Sequence, residues 1–125
     1  MKLLYVGLGG FLGAVARYGL SGLVQDRAAG TVPLGTLTVN VLGCLLIGLL
    51  MYMVTARHLL GPQTRLFLMI GLLGSFTTFS TVGYETFHYL RLERLGLALA
   101  NVGANVVLGL GAVATGWIVG KLVTG

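Results

Sequence analysis

The sequence predicts an all-α integral membrane protein of four transmembrane helices, the third of them broken. Three observations carry this. The chain is 56% hydrophobic and only 9% charged, with a mean hydropathy of +0.95. Soluble domains carry about 25% charge, so this chain could not cover a water-facing surface. Its apolar residues gather into four runs, each long enough to cross about 30 Å of hydrocarbon. Finally, Gly71-Leu72-Leu73-Gly74-Ser75-Phe76-Thr77-Thr78-Phe79-Ser80-Thr81 lies inside one of these runs, yet five of its eleven residues carry hydroxyls. Its two glycines weaken a helix. Hydrocarbon tolerates broken helix only where the freed backbone faces protein or water. A buried polar site near mid-membrane follows, of the kind that discontinuous membrane helices use to hold ions.

The chain reads as a single domain over residues 1–125, with spans at about 3–24, 34–56, 64–90 and 95–123. The first span carries six glycines, with Gly9 and Gly13 spaced so that a neighbouring helix backbone can approach closely. Lys2, the apolar run and Ala14-Val15-Ala16 resemble a signal peptide. A single Lys and the interrupting glycines favour a retained first helix instead. Arg17 lies well inside the span. It is either a snorkelling cation or the electropositive wall of a vestibule that attracts anions.

Gln25 to Pro33 forms a polar connection. The second span is apolar except for Thr36, Thr38 and Asn40. Hydrocarbon would leave the Asn40 amide unpaired, so it is either helix-to-helix glue or a pore-lining donor. Cys44, the only cysteine, permits no intrachain disulfide or thiolate cluster and reads as a small packing residue. Pro62 marks the start of the third span. Beyond the broken stretch that span holds Glu85, which requires a partner and for which Arg17 is a candidate. It also holds His88, which reads as interfacial more readily than as a proton relay.

The turn at Arg91 to Arg94 is short enough to make the third and fourth spans antiparallel neighbours. On the fourth span Asn101, Asn105 and Gly109 recur every four residues along one face. Ala112, Gly116 and Gly120 continue the spacing. This stripe is a tight packing seam or the wall of an ion path. Four spans place Lys2, Arg57, Arg65 and Lys121 on one side and Arg27, Arg91 and Arg94 on the other. That is almost no orientation bias under the positive-inside rule. The balance allows insertion both ways and so an antiparallel homodimer, and so slender a bundle does not enclose a pathway alone.

The net charge of +5 would suggest nucleic acid in a soluble protein. Here the basic residues flank apolar runs and serve as interfacial anchors. No catalytic constellation is present, and three acids leave little for general acid-base chemistry. The polar inventory of Ser, Thr and Asn with one Arg is rich in donors and suits a small anion. Phe79 adds a ring edge of partial positive charge. Carbonyls freed at the helix break could instead hold a cation, so these groups alone specify an ion path and leave the ion open.

The motifs GGFLGAVARYG (Gly9 to Gly19), GTLTVNVLGC (Gly35 to Cys44) and GLLGSFTTFSTVGYE (Gly71 to Glu85), with the glycine-rich fourth span, resemble the CrcB/Fluc family of small fluoride channels over essentially the whole chain. The resemblance implies an antiparallel, dual-topology dimer in the prokaryotic plasma membrane, exporting fluoride passively through two pores. It implies a structural sodium ion at the dimer centre, held by the backbone carbonyls of Gly74 and Thr77. It places Asn40 in the pore, Arg17 at the vestibule, and Ser80 and Thr81 on a polar track. Two positions depart from the family pattern. Val82 stands where a second phenylalanine is usual, and Asn101 replaces a tyrosine, while Asn105 keeps a polar group one turn on. A non-conducting or heterodimeric partner subunit is the alternative. A small multidrug-resistance-type antiporter is a weaker one, because that chemistry needs a carboxylate in the first span and this span has Arg17.

Overall fold

The computed structural model describes residues 1–125 and is helical throughout. Helix α1 spans Lys2–Ala28 and α2 spans Leu34–Thr55. The third span is built in pieces. Helix α3 comprises an α-turn at Pro62–Arg65, a π-helical stretch at Leu66–Leu73 and a last α-turn at Gly74–Phe76. After Thr77 and Thr78 the helix restarts as α4, Phe79–Arg91, and α5 closes the chain over Leu95–Thr124. Four spans are long and apolar enough to cross a membrane, with the third running from Pro62 to Arg91 across the break.

The expected spans recur with small changes at their ends. Helix α1 continues to Ala28, through residues expected to form the connection. It stops where Ala29 turns left-handed at φ 45° and gives its N–H to Gln25 O. The Gln25 side chain then ties down the connection: Nε2 donates to Gly30 O and Val32 O at 3.0 and 3.1 Å, and Oε1 accepts from Gly35 N–H at 3.2 Å. Three Gln25 side-chain hydrogen bonds and one backbone cap thus satisfy groups that the helix end and the connection would otherwise leave orphaned.

Two tight helix pairs make up the bundle. Helix α1 packs along α3 and α2 packs along α5, while α1–α2 and α4–α5 contacts join the pairs. Glycine sets the spacing in both. A Cβ at Gly13 would stand 2.1 Å from Leu72 O, and one at Gly9 would stand 2.2 Å from Phe67 O. In the other pair, Gly48 lies against Val113 O and Gly116 against Leu45 O just as closely. Backbone meets backbone at these points, the contact that small residues permit in lipid. The interior core is small. Val39, Leu73 and Phe76 form its centre, and only 18 of 125 residues are buried. Most of the large apolar side chains therefore face outward, as lipid requires.

Candidate functional site: a clamped helix break between two grooves

The third span cannot continue past Phe76 because Thr77 and Thr78 are extended, at φ −90°, ψ 159° and φ −150°, ψ 118°. In an unbroken helix Thr78 N–H would bond Gly74 O. Here it donates to Asn40 Oδ1 at 2.8 Å, and Asn40 Nδ2 donates back to Thr78 O at 3.1 Å. A single amide from α2 therefore satisfies both backbone groups of Thr78. The Thr78 side chain completes the restart, with Oγ1 accepting from Thr81 N–H at 3.2 Å as the N-cap of α4. The same oxygen lies 3.2 Å from Ser80 Oγ and 3.0 Å from Thr81 Oγ1, so three hydroxyls gather at the head of α4. The other side of the break is held by Thr77, whose Oγ1 donates to Leu73 O at 3.2 Å. Its methyl group fills the space where Gly43 has no Cβ: a Cβ there would lie 2.2 Å from Thr77 Cγ2.

Asn40 also joins the break to α5. Its Nδ2 donates to Asn105 Oδ1 at 2.9 Å, Asn105 Nδ2 donates to Asn101 O at 2.9 Å, and Asn101 Nδ2 donates to Thr86 Oγ1 at 3.1 Å. The fourth-span stripe thus does more than pack. It runs a chain of amides from α4 through α5 to the break.

Two grooves meet here, with Thr78 in the wall of each. The larger, of about 490 Å³, is lined by Asn40, Thr77, Thr78, Phe79, Val82 and Asn105 among others and contains no carboxylate. The smaller, of about 240 Å³, brings half-buried Arg17 together with Ser21, Thr36, Thr78 and Thr81. Beyond Ser21 and Thr36 the polar surface continues into a cavity of about 310 Å³ that reaches Glu85.

Of the residues singled out in the sequence, Asn40, Phe79 and Asn105 share the larger groove and Arg17 and Thr81 share the smaller. Ser80 is exposed at the helix start. Asn101, 7% exposed, sits behind the larger groove and contacts it through Asn105. Phe79 is 88% exposed, its ring reaching past the groove to the outside of the chain. Val82 is 5% exposed and packs into the groove floor, so a side chain at this position is held inward. Gly74 and Thr77 flank the break. The rearranged Thr78 N–H leaves the Gly74 carbonyl without its helical partner, and the extended Thr77 turns its own carbonyl out of the helix. No group of three or more His, Cys, Asp or Glu side chains is placed to hold a metal. The oxygens present suit a hard cation bound by backbone carbonyls, the donor type found at broken membrane helices.

Glu85 is not partnered by Arg17. Its Oε1 accepts from Thr36 Oγ1 on α2, and its Oε2 is buried without a hydrogen-bond partner. Thr36 shares a cavity wall with Glu85 that Arg17, on α1, does not enter. His88 is exposed and stacks on Tyr84, with ring centroids 6.4 Å apart. Sequence reasoning missed Thr36 and Thr86. Thr36 lies one turn before Asn40 and Thr86 directly follows Glu85, and that proximity was the available signal.

Comparison with known proteins agrees with this architecture. Residues 4–117 match the family described as CrcB-like protein, Camphor Resistance (CrcB). The chain is 46% identical over 116 residues to "Fluoride-specific ion channel FluC 1" of Methanosarcina acetivorans, covering 93% of this chain and 88% of that protein. It is 46% identical to "Fluoride-specific ion channel FluC" of Nitratidesulfovibrio vulgaris, covering 98% of each. It is 41% identical to the protein of the same name from Acidobacterium capsulatum, covering 97% of each. The family match over nearly all of its length, on a four-span fold broken in the third span, makes this chain a member of the CrcB-like family.

Proposed function

We propose that the chain is a fluoride-selective ion channel of the prokaryotic plasma membrane, crossing it four times and catalysing no reaction. The observation that carries this is the larger groove at the break. Its lining carries the Asn40 and Asn105 amides and the Thr77, Thr78 and Thr86 hydroxyls and no carboxylate, so a small anion entering it meets polar groups and no opposing charge. The exposed Phe79 ring offers an edge of partial positive charge beside them. The relatives named as fluoride-specific channels identify fluoride as the anion.

In this reading Arg17 attracts the anion into the smaller groove, Thr81 and Ser80 pass it along the hydroxyl row, and Asn40 and Asn105 line the larger groove. Asn101 supports Asn105 from behind. Fluoride leaves the cytoplasm passively, down its own gradient, relieving its toxicity. The working unit is an antiparallel dual-topology homodimer. The near-equal basic charge at the two ends and the outward-facing Phe79 support it, because a ring placed outside its own chain can reach a second copy's groove. A sodium ion bound by the Gly74 and Thr77 carbonyls would hold the two breaks together, balancing carbonyl dipoles that no backbone N–H meets.

A heterodimeric partner subunit is the second reading, favoured by Val82, whose inward packing contributes no ring edge, and by Asn101 in place of a tyrosine. One experiment separates the two: fluoride and chloride efflux from liposomes holding this chain alone. Rapid fluoride loss without chloride loss is the expected result. Well-folded dimer that passes neither ion would replace the channel reading with that of a partner subunit.

A further inference from the structure

The hydrogen-bond orientations around Asn40 are fixed by the backbone. Thr78 N–H requires an oxygen and Thr78 C=O requires a nitrogen, so Asn40 must present Oδ1 to the first and Nδ2 to the second. The Asn101 carbonyl likewise requires a donor, so Asn105 must turn Nδ2 toward it and Oδ1 toward Asn40. Neither amide can flip without placing like groups against each other. An amide nitrogen has two protons. Both protons of Asn40 are therefore engaged inside the chain, one on Thr78 O at 3.1 Å and one on Asn105 Oδ1 at 2.9 Å. Asn40 lines the larger groove, yet it has no free N–H to offer an ion there.

The two acceptors differ. Thr78 O is main chain, held by a two-point clamp. Asn105 Oδ1 belongs to a half-buried side chain that itself lines the groove. We infer that Asn105 is an internal surrogate for the transported anion: its amide oxygen occupies the Asn40 N–H, and an ion must displace it to gain that donor. This rests on the channel reading above and adds a specificity-determining residue to it. Hydrogen bonds to an ionised acceptor are roughly twice as strong as neutral ones. Fluoride, with its charge concentrated on a small ion, outcompetes an amide oxygen. Chloride spreads the same charge over a larger ion and competes less well. Asn105 thus sets a threshold of acceptor strength, and Asn101 is a positioning residue that keeps the Asn105 oxygen turned toward Asn40.

Two variants move the threshold in opposite directions. Asn105→Leu keeps the volume and removes the competing oxygen. It is expected to raise the chloride-to-fluoride flux ratio on the order of tenfold, the scale of one hydrogen bond. Asn105→Asp replaces the amide oxygen by a charged one that holds the Asn40 N–H and repels anions, and it is expected to abolish fluoride flux. A purely structural Asn105 would impair both variants alike without changing the ratio in Asn105→Leu. The wild-type chain provides a test that does not depend on variant folding. In nitrogen-15-labelled protein, fluoride titration should shift the side-chain amide resonances of Asn40 and Asn105 together, while equal chloride leaves them in place. An unchanged flux ratio in folded Asn105→Leu, or an Asn105 resonance that stays fixed while fluoride is added, overturns the surrogate role. Absence of fluoride flux from the wild type overturns the channel reading instead, and the titration then decides the surrogate separately.

Discussion

Four residues apart on the third span, the backbone leaves α-helical geometry twice, and the two departures are handled in opposite ways. Over Leu66–Leu73 it widens into a π-helix, and the widened segment is pressed against the glycine face of α1 so that Phe67 O and Leu72 O meet Gly9 and Gly13. At Thr77 and Thr78 it breaks outright, and the freed groups are met by the Asn40 amide and the Thr78 hydroxyl. The first irregularity is packed against α1 and lines neither groove. The second is satisfied by polar side chains and borders both grooves. A membrane protein can thus hide irregular backbone by shape or answer it with chemistry, and only the second leaves groups that an ion can use.

These two strategies fail differently when altered. Gly13→Ala puts a methyl group against a main-chain carbonyl that cannot swing aside. It is expected to cost roughly 3 kcal/mol, at the upper end for overpacking, seen as a lower thermal midpoint by circular dichroism in detergent. Asn40→Ala leaves Thr78 N–H and C=O unsatisfied. It is expected to cost about 2 kcal/mol and to reduce fluoride efflux from liposomes as well, because the break loses its shape. Asn40→Asp keeps an acceptor for Thr78 N–H but sets a carboxylate oxygen against Thr78 O and Asn105 Oδ1 and places a negative charge in the groove. It is expected to lower the thermal midpoint as Asn40→Ala does and to reduce flux further than Asn40→Ala. Unchanged flux in that variant would remove Asn40 from the path. Gly43→Ala meets the Thr77 methyl group, and relieving that contact turns the Thr77 side chain away from Leu73 O. The expected cost is about 1 kcal/mol with a measurable change in efflux. Thr77→Ala is expected to do least to cation binding, since the proposed ligand is a carbonyl. A lost dependence of dimer stability on sodium in Thr77→Ala would bring the side chain into the site.

The four spans and the position of the break were legible in the sequence, because burial in lipid demands long apolar runs and because Gly71, Gly74 and five hydroxyls stand out within one. The role of Asn40 was half legible. Its amide had to be satisfied, but whether by another helix or by an ion depended on the Thr78 backbone, which only the fold brings to it. The π-helix left no mark, since Leu66–Leu73 is apolar like any span. The expected match of Glu85 with Arg17 failed for a related reason. Opposite charge suggests a pair, while the fold decides which side chain arrives, and here it is Thr36. Val82 read as a missing ring, whereas its burial shows that the position faces the floor of the groove.

The clamp also orders events during synthesis. Asn40 lies 38 residues before Thr78, and Asn105 lies 65 residues after Asn40. Spans emerge from the N-terminus onward, so the amide that caps the break is already in the bilayer when the Thr-rich segment arrives. The segment with exposed peptide groups need not wait in hydrocarbon for the last helix. Arrival of α5 then takes up the remaining Asn40 proton and completes the amide chain. In a chain with three spans inserted, both backbone groups of Thr78 thus already have a partner on α2.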